Sequence, residues 1–212
     1  MVEDDERIPT VKMMVAPGVR LLRPLGAGGM GYLWVAFHER LDTEVAVKFI
    51  APELAARQPS LGARFRREAS AAAKIKSPHV VKILDHGQMD DGTPFMIMEL
   101  LEGETLAERL ARGARLSLGE SVTLVVQMTR ALGRAHALEI VHRDLKPDNV
   151  FLVAQAEGGE ADEHDDLFVK ILDFGIAKQA LSPTASVLTA VGAVVGTPQY
   201  MSPEQILSAR EV

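Results

Sequence analysis

The stretch from Ile140 to Asn149, IVHRDLKPDN, constrains this chain more than any other. It sets a histidine, an arginine, two aspartates, a lysine and an asparagine between a long helical pattern and the short apolar run VFLV. The chain must therefore pass here from helix through a tight polar loop into strand. Asp144 and Asn149 lie five residues apart, close enough for such a loop to turn both side chains to one ligand. A polar turn without chemistry would look the same over these ten residues, so the rest of the chain has to discriminate.

Residues 1–17 read as a flexible, acidic lead-in. From Val19 the runs VRLLRPLG, YLWVAF and EVAVKFI are rich in β-branched and aromatic residues, which predicts three antiparallel strands. Arg64 to Lys76 puts Phe65, Ala69, Ala72 and Ile75 on one helical face, and Ser77-Pro78 ends it. VVKILDHG and TPFMIMEL predict two more strands around a turn at Met89–Gly92. The first hundred residues are thus expected to form a five-stranded sheet with one helix. From Gly103 the pattern turns helical, with a short helix over Thr105–Arg112 and a longer one over Leu118–Leu138. Val122, Val125, Thr129, Leu132 and His136 form the apolar stripe of the second. VFLV and LFVKILDFG return to strand around a charged insertion. Its six carboxylates between Glu157 and Asp166, with His164, lack the spacing and rigid flanks of a metal site and read as a solvated loop.

Four further stretches carry chemistry. LGAGGMG places Gly26, Gly28 and Gly31 in a G-x-G-x-x-G pattern between two strands, where a dinucleotide fold would have strand then helix. Glycines there let backbone amides approach a ligand with no Cβ in the way. Lys48 lies in VAVK on the third strand, flanked by apolar residues, and calls for a partner. Asp173-Phe174-Gly175 ends a strand. GTPQYMSPE follows the small, irregular segment from Ala180 to Val195.

In this order the motifs resemble a bacterial, eukaryotic-like serine/threonine protein kinase catalytic domain, over roughly Val19 to Gln205. The resemblance implies an α+β, two-lobed protein kinase-like fold. Residues 18–102 would be the N-lobe, five antiparallel strands with one helix, and 103–212 a partial, mostly helical C-lobe. It implies ATP and Mg2+ as cofactors and a protein substrate with a Ser or Thr acceptor. Asp144 would orient the acceptor hydroxyl and take its proton, and Lys146 would put positive charge on the phosphoryl group in flight. Asn149 and Asp173 would hold magnesium. Leu25, Gly26, Gly28, Gly31, Leu33 and Ala46 would enclose the nucleotide, with Leu33 in place of the usual valine. Lys48 would hold its α- and β-phosphates and Glu68 would hold Lys48. Met98 would precede the hinge, with Glu99 and Leu101 offering backbone bonds to adenine. His142 would pack and hydrogen-bond locally rather than act as a base. Lys146 and Thr197 would select Ser/Thr over Tyr. Arg143 would pair with a phosphate on the loop from Ala180 to Val195, with Thr189 as the candidate site and an activating kinase or a homodimer partner as its source.

Composition narrows the class. With 47% apolar and 25% charged residues the 212-residue chain is of globular type. No apolar run approaches the ~18 residues of a membrane span. The acidic start, MVEDDERIPT, is neither a secretory signal nor a transit peptide, and the absence of cysteine fits a reducing, cytoplasmic place. The net charge of −6 gives nucleic acid no support as a partner. The resemblance also implies further helices after Ser202-Pro203-Glu204, so the sequence reads as truncated shortly after that motif. The rival expectation is therefore a catalytically weak ATP-binding or docking module.

Overall fold

The computed structural model describes residues 9–28, 31–51, 60–154, 167–174 and 198–203. The chain falls into two compact units, 1–76 with 80–102, and 77–79 with 103–212.

The first unit is built on β1 (Met14–Ala16), β2 (Val19–Gly28), β3 (Gly31–His38), β4 (Thr43–Ile50), β5 (Ile83–Gln88) and β6 (Pro94–Glu99). They form one sheet in the order β1-β2-β3-β4-β6-β5, every neighbour antiparallel. The sheet has six strands rather than five. The extra one lies in the lead-in, where Val15 is buried and Met14 and Ala16 pair with Arg20 and Val19. Alternation in β4 explains the core. Val45, Val47 and Phe49 join Trp34, Ala36, Phe95 and Ile97 in a cluster on one face. Ala46 and Lys48 consequently point to the other.

Helix α1 (Ser60–Ala72) lies against β5 and β6 and buries Leu61, Phe65, Ala69 and Ala72. It begins and ends earlier than the expected Arg64–Lys76, because after Ala72 the amides of Lys74 and Ile75 bond three residues back and tighten the chain into a turn. Ser70 Oγ meets His86 Nε2 of β5 at 2.8 Å.

The second unit holds β7 (Gly103–Thr105), α2 (Leu106–Ala111), α3 (Leu118–His136), β8 (Val150–Val153) and β9 (Phe168–Ile171). The strands form an antiparallel sheet in the order β7-β8-β9. Both helices start at capping boxes, Thr105 with Glu108 and Ser117 with Glu120. Each such cap is worth about 1 kcal/mol. The core joins Leu106, Leu124, Val150, Leu152, Leu167 and Val169, with Met128 and Leu145 packed on it.

On α3 the structure departs from expectation. The buried residues are Leu124, Ala131 and Ala135, while Val122 and Val125 are more than half exposed and Thr129 and His136 lie at the surface. The helix carries two apolar faces, and the one with small residues and Leu124 is the one that packs on β9. Glu139, at φ 59, ends the helix in the left-handed region, and Ile140 N–H returns to Ala135 C=O at 3.0 Å. That turn delivers the chain into the polar decamer.

Candidate active site

In the first unit the expected nucleotide residues share a sheet face. Lys48 on β4 lies opposite Leu33 of β3 and Met96 of β6, and Ala46 lies opposite Val35 and Met98. Val47 and Phe49, on the opposite face, are fully buried, so the strand cannot rotate Lys48 away without exposing them. Leu25 is 46% exposed just before the glycines. Gly26, Ala27 and Gly28 pair with Leu33, Tyr32 and Gly31.

The glycines are there for different reasons. A Cβ on Gly31, at φ 149, would lie 1.8 Å from the Phe49 carbonyl oxygen, so the fold itself requires glycine there. A Cβ on Gly26 would meet nothing within 4 Å. The protein's own packing does not demand a glycine at Gly26, which leaves room for close approach by a ligand.

Met98 is buried at the end of β6. Glu99 N–H donates to the Lys82 carbonyl at 3.0 Å and Glu99 Oε1 accepts from Lys82 N–H at 2.7 Å. Leu101 follows, half-buried. Glu68 lies on α1, its side chain outside the described residues.

In the second unit the decamer folds tightly. Asp144 N–H donates to His142 C=O at 2.9 Å across Arg143, whose φ is 62. That is a three-residue turn in a sparsely populated conformation, costing about 1–3 kcal/mol for a non-glycine. His142 helps hold it. Its Nε2 is 2.8 Å from the Leu172 carbonyl, which can only accept, so Nε2 carries the proton. Its Nδ1 is therefore the acceptor for Asp144 N–H at 3.2 Å. Burial lowers its pKa, against the raising effects of the Leu172 bond and of Asp144 and Asp173. The ring is neutral, both nitrogens are used, and it packs on Phe174 at 4.9 Å between centroids. His142 braces the turn through both ring nitrogens.

Pro147–Asn149 forms a 3-10 turn that brings Asn149 back to Asp144. Asn149 is buried, and its Nδ2 donates to the Asp144 carbonyl at 2.7 Å and to Asp144 Oδ2 at 3.3 Å. Lys146 Nζ stands 3.9 Å from Asp144 Oδ2. The decamer thus gathers the carboxylate, cation and carboxamide at one point.

Asp173 follows β9 with φ 42, a left-handed conformation that aspartate tolerates. Leu172 N–H donates to the Asn149 carbonyl at 2.9 Å, tying its predecessor to the turn that carries Asn149. Asn149 bonds through its nitrogen, and its Oδ1 with the Asp173 carboxylate are the oxygen donors expected from the sequence. Hard oxygen donors of this kind would suit magnesium. Among the described residues no group of three or more His, Cys, Asp or Glu could hold a metal alone.

Arg143 is exposed. Thr189, Thr197, Gly175 and the acidic insertion lie outside the described residues. The sequence reading missed Gln127, which emerges from α3 to bond the backbone of β9. An amide in an amphipathic helix reads as a surface residue, and no spacing marks it out. No helix among the described residues is long and apolar enough to cross a membrane.

Residues 19–212 match the family described as Protein kinase domain. The chain is 39% identical over 191 residues to serine/threonine-protein kinase pkn2 of Myxococcus xanthus, covering 90% of this chain and 22% of that protein. It is 37% identical over 203 residues to serine/threonine-protein kinase PknA of Mycobacterium tuberculosis, covering 94% of this chain and 44% of the relative. The crystal structure of the M. tuberculosis PknI kinase domain superposes with a TM-score of 0.67 at 29% identity, over 81% of this chain and 63% of that one. The chain thus spans less than half the length of these two relatives. With its α+β architecture, catalytic-type loop and motif order, the chain belongs to the protein kinase domain family.

Proposed function

We propose that this domain transfers the γ-phosphoryl group of ATP to a serine or threonine hydroxyl of a protein substrate. The observation that carries it is the convergence of Asn149 and Lys146 on Asp144, at 3.3 and 3.9 Å from Oδ2. ATP would supply the phosphoryl group, and magnesium bound with it would neutralise phosphate charge. Asp144 orients the acceptor hydroxyl and takes its proton on a carboxylate oxygen as the hydroxyl oxygen bonds to phosphorus and the bond to the departing diphosphate breaks. Asn149 Nδ2 keeps that carboxylate aimed. Lys146 offers its charge to the transferred group. Asn149 Oδ1 and Asp173 hold the cation.

Lys48, with Glu68 as its partner, holds the α- and β-phosphates. Gly26, Gly28 and Gly31 bring backbone amides to the phosphates, and Leu25, Leu33, Ala46 and Met98 line the base, with Glu99 and Leu101 offering backbone bonds. Residues 18–102 serve as the nucleotide-holding lobe and 103–212 as the substrate lobe. Preference for Ser/Thr rests on Lys146 and Thr197, and on two relatives whose names carry that specificity. Phosphorylation at Thr189, by a second copy or an activating kinase, would place its charge on Arg143.

The test is magnesium-dependent transfer of labelled phosphate from ATP to a basic protein, followed by phosphoamino-acid analysis. Label on serine or threonine supports the reading. Nucleotide binding without transfer, or label on tyrosine alone, overturns it.

A further inference from the structure

Strand β9 is an edge of its sheet, paired with β8 on one side. Its other side carries the outward groups of Leu167, Val169 and Ile171, and these are not left open. Gln127 Nε2 donates to the Leu167 carbonyl at 2.8 Å, and Val169 N–H donates to Gln127 Oε1 at 2.7 Å. Val169 C=O meets His79 Nδ1 at 3.0 Å, and Ile171 N–H donates to the His79 carbonyl at 2.9 Å. One planar carboxamide presents a donor and an acceptor to the donor and acceptor of the strand, as a neighbouring strand would.

An ordinary edge cap would explain those bonds alone. What β9 carries argues for more. Two residues beyond Ile171 stands Asp173, at φ 42. Across the sheet Val150 pairs with Ile171, and Val150 directly follows Asn149. The setting of β9 against β8 therefore fixes Asp173 relative to Asn149, the two oxygen donors for the cation. Gln127 sits on α3, the helix whose C-terminal turn leads into the loop with Asp144.

We propose that Gln127 is a positioning residue for Asp173: by standing in for a neighbouring strand along the outer edge of β9, it sets the strand end that meets magnesium. This rests on the kinase reading. Gln127→Met keeps the length and removes both bonds. Gln127→Glu keeps the acceptor for Val169 but turns a carboxylate to the Leu167 carbonyl. Glu120→Ala, on the same helix, removes the capping box and the Arg109 contact and is the stability control.

Hydrogen exchange at residues 167–172, thermal melts, and ATP binding titrated with Mg2+ are measured on all four proteins. In Gln127→Met, exchange at Val169 and Ile171 should quicken about tenfold, and the Mg2+ needed for half-maximal ATP binding should rise about tenfold. Gln127→Glu should shift both in the same direction, and it carries the test if the methionine variant fails to fold. Glu120→Ala should lower the melting temperature and leave the Mg2+ requirement at the wild-type value. Unchanged exchange in the Gln127 variants, or faster exchange with a wild-type Mg2+ requirement, overturns the proposal and leaves the kinase reading intact. A wild type that binds no ATP at any Mg2+ concentration overturns both, and is told apart because the unsubstituted protein fails.

Discussion

The carboxamide of Asn149 donates to the main-chain carbonyl of Asp144 at 2.7 Å and to its carboxylate at 3.3 Å. One side chain thus bonds both the backbone and a carboxylate oxygen of the residue at the centre of the loop. Asn149→Ala should leave the Asp144 carbonyl without its buried donor, at a cost of about 1–3 kcal/mol in stability. It should also raise the Mg2+ requirement. Denaturant unfolding and Mg2+-titrated ATP binding check both. A variant as stable as wild type with an unchanged Mg2+ requirement would contradict the geometry.

Gly31 and Gly26 should separate fold from function. Gly31→Ala forces a Cβ onto the Phe49 carbonyl at a φ of 149 and should cost about 3 kcal/mol or more. Gly26→Ala meets no neighbour and should stay within about 0.5 kcal/mol of wild type. It should instead weaken ATP binding several-fold. Thermal melts with calorimetric titration decide, and the reverse pattern would remove Gly26 from the nucleotide site.

His142 predicts a pH dependence. Its folded pKa is lowered, chiefly by burial, from an ordinary value of 6.5. Below that value the unfolded chain takes a proton that the folded chain refuses, so stability falls as pH falls and levels off only below the lowered folded value. His142→Gln keeps a donor for the Leu172 carbonyl and cannot titrate. Between about pH 8 and about pH 5.5 its melting temperature should decline less than that of wild type. Parallel declines would mean that His142 titrates normally in the folded state.

Lys48→Met and Asp173→Ala should each weaken Mg2+-dependent ATP binding by at least about tenfold, or about 1.4 kcal/mol. The strand packing around Lys48 is set by Val47 and Phe49, so Lys48→Met should keep its fold. Equal affinities in wild type and both variants would remove these residues from the site.

Local chemistry made much of this legible in the sequence. The decamer carries Asp144, Lys146 and Asn149 within six residues, and a tight loop brings together what it contains. The place of Lys48 on a strand was legible because apolar residues flank it in VAVK. What escaped depends on partners distant in sequence. Met14–Ala16 is too short to signal a strand and gains its place only by pairing with Val19 and Arg20. On α3 both faces are apolar, and Val122 and Val125 outweigh Ala131 and Ala135 on any hydropathy scale. Only the nearness of β9 decides that the smaller side chains are the packed ones. Gln127 reaches Leu167 and Val169, forty and forty-two positions away, which no local pattern encodes.

The central claim is that Asp144 orients the acceptor hydroxyl and takes its proton. The direct measurement compares wild type with Asp144→Asn, which keeps the shape of the residue and removes the proton acceptor. Transfer of labelled phosphate from ATP to serine and threonine of a basic protein is followed alongside ATP affinity. The account predicts Mg2+-dependent transfer by wild type, a loss of about 10²–10⁴-fold in the variant, and unchanged nucleotide affinity. Equal transfer rates, or ATP binding by wild type with no transfer, would contradict it.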